Sequence, residues 1–183
     1  MRRILDWIYR ASGALAAAFL VAICIVVLLQ VGCNAIDAAI KVAGGEPIGL
    51  VIPSYAEFAG LFLAASSFLA LASSLRAGAH IRVLVLLDRL PARARHAAEL
   101  WSVAAAAALS GYFAWYMIAL TADSLEYDDL SPGIVPVPLW IPQAVMALGL
   151  AILTIAFAEE LAAVARGREA SYARAERQAS TRE

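Results

Sequence analysis

The 183-residue chain is 63% hydrophobic, with a mean hydropathy of +0.77 and a formal net charge of −1. Average soluble domains are roughly 45–50% apolar, so a chain this size cannot hide so much apolar surface in water, and the bilayer is its natural solvent. The small net charge selects no partner class, and no nucleic-acid partner is expected.

A spanning helix needs about 20 predominantly apolar residues, and four stretches meet that length in chain order. They cover approximately residues 12–36, 53–75, 98–122 and 137–164. The expected fold class is an all-α membrane protein, one integral membrane domain over residues 1–183. A soluble four-helix bundle would place a polar stripe on each helix. Runs such as LAAAFLVAICIVVLL and WSVAAAAALSGYFAWYMIAL carry none. The N-terminal MRR with its apolar run, and LQVGC at 29–33, bear a faint likeness to processing signals. Gln30 fits a lipoprotein box poorly and the run is long for a signal peptide, so an uncleaved first helix is expected. Cys24 and Cys33 lack metal or redox spacing and read as buried thiols.

Basic residues are retained on the cytoplasmic side of a membrane. Arg2, Arg3 and Arg10 precede the first span. Arg76, Arg82, Arg89, Arg93 and Arg95 lie between the second and third, and Arg166, Arg168, Arg174, Arg177 and Arg182 follow the fourth. The other two connections hold Lys41 alone, beside Asp37, Glu46, Asp123, Glu126, Asp128 and Asp129. Both termini, including a tail over 165–183, and the 76–96 connection are therefore expected in the cytoplasm, with the acidic loops outside. The acids of the second outer loop would repel an anionic substrate. Pro132, Pro136, Pro138 and Pro142 give that loop a stiff approach to the last helix. Trp140, Tyr55, Trp7 and Tyr9 sit at span ends as interface anchors.

Within RAGAHIRVLVLLDRLPARARH, residues 76–96, a helix over about 80–95 would gather Arg82, Arg89, Arg93 and His96 in one sector. Ile81, Val83, Leu84, Leu87 and Leu90 would fill much of the rest. Such a helix lies in the membrane interface with its arginines among lipid headgroups, and Pro91 would end or kink it. Close helix approach in lipid favours small residues four apart, and Gly60–Ala64 and Ala104–Ala108 are candidate pairs. Gln30 and Asn34 are placed to cross-link helices by hydrogen bonds. Glu57, near the outer end of the second span, is an ionisable group that lipid makes costly and that is expected to be paired or functional. Glu159 and Glu160 close the fourth helix where nearby arginines can neutralise them.

The stretch YAEFAGLFLAASSFLALASSLRAGAHIRVLVLLDRLP resembles the small membrane subunit, the DctQ-like family, of tripartite ATP-independent periplasmic (TRAP) transporters. The likeness is carried by Glu57, Arg76, His80-Ile81-Arg82-Val83 and Leu90-Pro91. A second block, SPGIVPVPLWIPQAVMALGLAIL, continues it through Leu139-Trp140-Ile141-Pro142. Members of that family often have an acid directly after the His-Ile-Arg-Val segment; here Leu84 stands there, and Asp88 follows one turn later.

The resemblance implies a bacterial inner-membrane complex. A soluble periplasmic (DctP-like) protein captures an organic acid such as a C4-dicarboxylate, and a large (DctM-like) subunit carries it inward with sodium. The small subunit steadies the large one. No catalytic, cofactor or metal residues are expected: the chain has no GxxxxGK[ST] loop, HExxH or paired-cysteine motif. Candidate partner- or lipid-facing residues are Glu57, Arg76, His80, Arg82, Arg89, Arg93 and Trp140. Two rivals are a self-sufficient small multidrug exporter, which needs its acid deep in a central cavity, and a respiratory anchor subunit, which needs histidines inside the spans. His80 and His96 both lie in the connection.

Overall fold

The computed structural model describes residues 2–77 and 91–167. Four helices are present among them: α1 (Arg2–Val42), α2 (Tyr55–Arg76), α3 (Ala92–Glu126) and α4 (Trp140–Ala165). All four are long and apolar enough to cross a membrane. An apolar environment offers no hydrogen bonds to a bare backbone, and a continuous helix satisfies its N–H and C=O groups internally.

The helix ends follow from local chemistry. α1 stops at Gly44 (φ 81°), whose left-handed backbone suits glycine. The Gly45 N–H returns to the Ile40 carbonyl and that of Gly44 to Lys41, at 2.9 and 3.2 Å, which satisfies two of the terminal carbonyls. Pro91 caps α3 in extended conformation, a residue whose lost N–H costs nothing at a helix start. Gly167 (φ 70°) follows the last turn of α4.

Two helices are longer than the apolar runs alone indicate. α1 reaches from Arg2, well ahead of the expected 12–36, and α3 starts at Ala92 rather than near 98. Polar residues extend a helix beyond its lipid-facing part, because hydropathy marks the apolar length and not the hydrogen-bonded length. The interfacial helix expected over 80–95 lies mostly outside the described residues. Its last part, Ala92 to Arg95, is the first turn of α3, so Arg93 and His96 belong to the third long helix.

The helices form a series in the order α1–α2–α4–α3. α1 packs along α2, α2 along α4 and α4 along α3, while α1 barely touches α4. The outer helices, α1 and α3, thus have one principal neighbour each and leave broad apolar faces uncovered. Leu20, Ile25 and Leu28 of α1 and Trp101, Phe113 and Trp115 of α3 are examples. The shared core joins Tyr9, Ala72, Leu75, Ala114, Leu150, Leu153 and Ala156.

Close approach comes from glycines that the sequence pattern did not select. A Cβ on Gly149 of α4 would lie 2.6 Å from the backbone carbon and oxygen of Phe68 in α2. One on Gly13 would meet the Ser73 side chain at 3.0 Å. Gly60 has open space around it and Ala108 is exposed, so neither Gly60–Ala64 nor Ala104–Ala108 forms a packing pair between the described helices. Two serines tie α1 to α2: the Ser12 hydroxyl donates to the Leu69 carbonyl at 2.5 Å, and Ser66 donates to that of Ala16 at 2.9 Å. Without water to compete, such interhelical bonds persist in an apolar medium. The thiols do not match their expectation: Cys24 is exposed and Cys33 half-buried, since both lie on the outermost helix.

Candidate functional site

Two polar clusters occupy opposite ends of the helices. At the arginine-rich end, Arg76 closes α2. One guanidinium nitrogen pairs with Asp6 of α1 at 2.9 Å and the other with Glu159 of α4 at 2.5 Å. The guanidinium carbon sits 4.5 Å from the centroid of the Tyr9 ring, a favourable cation–π geometry. The Tyr9 hydroxyl donates to the same Glu159 oxygen at 2.9 Å. Arg76 thereby joins three helices through a planar fork suited to two carboxylates. Tyr9 is buried and is a structural contact rather than the interface anchor its position suggested; Trp7, two residues earlier, is exposed. Glu159 is half-buried, and Glu160 next to it is buried.

At the acidic-loop end, Asp37 accepts the backbone N–H groups of Ile48 and Leu50, at 3.1 and 2.8 Å. Gln30 donates to Asn34 within α1 and accepts the Ile52 N–H at 2.8 Å. Gln30 therefore fixes the segment leading to α2, whereas a bond to another helix was expected of it. Ser54, at the start of α2, has left-handed backbone (φ 56°). Its hydroxyl accepts the Val135 N–H at 3.0 Å in place of capping its own helix.

That bond seats a small lobe. Leu130 and Pro138 form an antiparallel bridge, with Ser131 N–H donating to the Val137 carbonyl and Leu139 N–H to that of Asp129, each at 2.9 Å. The tip of the lobe crosses Glu57. A Cβ on Gly133 would lie 1.5 Å from one Glu57 oxygen, so any larger residue there obliges the carboxyl group to move aside. Both Glu57 oxygens are buried and have no hydrogen-bond partner among the described residues. The expected pairing of Glu57 is not made among the described residues.

The other candidates are distributed. Trp140 is the first residue of α4 and is 37% exposed. Arg93 is exposed in the first turn of α3. His80, Arg82 and Arg89 lie outside the described residues. Sequence reasoning anticipated an arginine partner for Glu159 but missed Asp6, and it took Tyr9 for an anchor. The available signal was one of depth, since Asp6, Tyr9, Arg76 and Glu159 each stand at the arginine-rich end of a span.

A recess of ≈ 150 Å³ opens between α1, α2 and α4, lined by Phe19, Phe58, Phe62, Ile141, Pro142 and Val145 among others. Its lining residues are all apolar, so it presents no group that could bind a carboxylate. Among the described residues no cluster of histidine, cysteine or acidic side chains could hold a metal ion.

Four long apolar helices, ionic contacts at their ends and uncovered outer faces fit a multi-pass membrane protein. The family model for tripartite ATP-independent periplasmic transporters, DctQ component, matches residues 48–167. The chain belongs to this family, a family of transporter components rather than enzymes. The match takes in α2, α3 and α4. Comparison with curated proteins and with solved structures gave no match.

Proposed function

We propose that this chain is the scaffold half of a sodium-coupled TRAP permease that imports an organic acid such as a C4-dicarboxylate. The observation that carries the reading is the DctQ family match across three of the four helices. The family implies two partners, a large DctM-like membrane subunit and a DctP-like periplasmic binding protein. A scaffold role is supported by the ionic junction of α1, α2 and α4 and by the wholly apolar lining of the recess between them. Substrate selection then rests with the partners. The arginine asymmetry supports cytoplasmic termini, and on that reading the Glu57–Gly133 contact lies in the periplasmic half. His80, Arg82, Arg89 and Arg93 are assigned to contacts with headgroups or the large subunit. A self-sufficient exporter would need its acid in a central cavity; Glu57 instead lies in the first turn of α2, beneath a loop.

The test is recovery of the tagged chain from its native membrane in gentle detergent, followed by mass spectrometry. A stoichiometric large polytopic subunit is expected, together with sodium-dependent uptake of an organic acid when both subunits and the binding protein are reconstituted. A lone homodimer would overturn the proposal.

A further inference from the structure

We infer that the face of α3 bearing Tyr112 and Tyr116 is the surface on which this subunit docks the transmembrane helices of the large subunit. The inference rests on the function proposed above and adds which side of the molecule carries the contact.

The argument begins with depth. The apolar stretch of α3 runs from Leu100 to Ala122, bounded by Glu99 and Asp123. Its midpoint is Gly111. At a rise of about 1.5 Å per residue, Tyr112 sits roughly 1.5 Å from the middle of this stretch and Tyr116 roughly 7.5 Å. The hydrocarbon half-thickness is about 15 Å. Helical side chains lean toward the N-terminus of their helix. For Tyr116 that direction leads back toward the centre, away from the nearer polar boundary. Neither phenol reaches the headgroup level, where tyrosine normally resides.

Both residues point outward. Tyr112 is 56% exposed and Tyr116 57%, and their rings touch at a tilt of 49° with centroids 4.7 Å apart. Neither hydroxyl has a hydrogen-bond partner among the described residues. A hydroxyl without an acceptor in hydrocarbon carries a desolvation cost of a few kcal/mol, and lipid tails offer no acceptor. A protein helix offers carbonyl, serine, threonine or amide oxygens.

The surrounding surface fits a helix. At 100° per residue, Trp101, Ala105, Ala108, Tyr112, Tyr116 and Ala119 fall within one sector, and all are exposed. Large and small residues alternate along it, giving projections and hollows that a neighbouring helix can fill. The opposite side, with Val103, Ser110 and Ala114, is buried; Gly111, toward that side, faces Thr154 of α4. α1 provides the contrast. Between Ala14 and Leu29 its exposed residues are alanine, leucine, valine and isoleucine, with Cys24, and none demands a hydrogen-bond acceptor. That face suits lipid.

The experiment places p-benzoylphenylalanine singly at Tyr112, Tyr116, Val21 and Leu28 in the tagged chain, co-expressed with the large subunit and irradiated in membranes. Adducts with the large subunit are expected from positions 112 and 116 and not from 21 and 28. In parallel, Tyr112→Phe and Tyr116→Phe each lower recovery of the large subunit, by about threefold per hydroxyl removed, with the thermal midpoint of the isolated subunit unchanged. Adducts only from α1, adducts with a second copy of this chain, or lipid adducts alone at 112 and 116 would overturn the assignment while leaving the proposed function intact. Failure of the unaltered chain to recover any large subunit would overturn both.

Discussion

Replacing Arg76 with methionine keeps much of the side-chain volume and removes the charge that joins α1, α2 and α4. Its bond to Glu159, with both side chains 28% exposed, is a charged hydrogen bond only partly shielded from solvent. It contributes about 1.5 kcal/mol, the low end for such bonds. Asp6 is 51% exposed, so that pair adds at most about 0.5 kcal/mol. The contact with the Tyr9 ring adds about 0.5 kcal/mol. Arg76→Met should therefore destabilise the subunit by about 2.5 kcal/mol. For a chain of this length the thermal midpoint in detergent falls by roughly 5–10 °C. Among the described residues Glu159 is left with only the Tyr9 hydroxyl, so Arg76→Met with Glu159→Gln should recover part of the loss, because the uncompensated carboxylate is gone. Asp6→Asn alone should shift the midpoint by no more than about 2 °C. A midpoint unchanged in Arg76→Met would refute the junction, as would an Asp6→Asn effect as large as that of Glu159→Gln.

Three further outcomes are expected. Gly149→Ala forces a methyl to 2.6 Å from the Phe68 backbone and should cost about 1–3 kcal/mol; Gly60→Ala, with open space around it, should cost nothing, and a thermal melt of both variants compares them. Gly133→Ala collides with the Glu57 carboxyl and should loosen the lobe, read as faster amide exchange at Val135; combining it with Glu57→Ala should restore slow exchange. Joint replacement of Arg82, Arg89 and Arg93 by glutamine should lower complex yield or substrate uptake, and equal uptake at equal expression would remove the assigned role of those arginines.

The elements were legible to different degrees. Hydropathy located all four long helices because the cost of placing a residue in an apolar medium belongs to that residue and sums along the chain. Helix boundaries were less legible. α1 runs on to Arg2 and α3 begins at Ala92, since the backbone ladder continues through polar residues that hydropathy does not count. Of the candidate residues, Arg76 emerged with clear partners. The Glu57 carboxyl emerged buried without a partner among the described residues, and its cover was not legible because Gly133 lies 76 positions further along the chain (133 minus 57).

By itself the sequence determined the solvent, the number of long apolar helices, the asymmetry of charge between the two ends and the likeness to the DctQ family. Each is a property of composition or of short motifs. Tertiary structure alone decided the order α1–α2–α4–α3, the choice of Gly149 rather than Gly60 as the point of close approach, and the partners of Arg76, 70 and 83 residues away in the chain. Those outcomes depend on shape across two surfaces at once. In an apolar medium hydrophobicity does not distinguish one helix face from another, so steric fit and the few available hydrogen bonds select which faces meet.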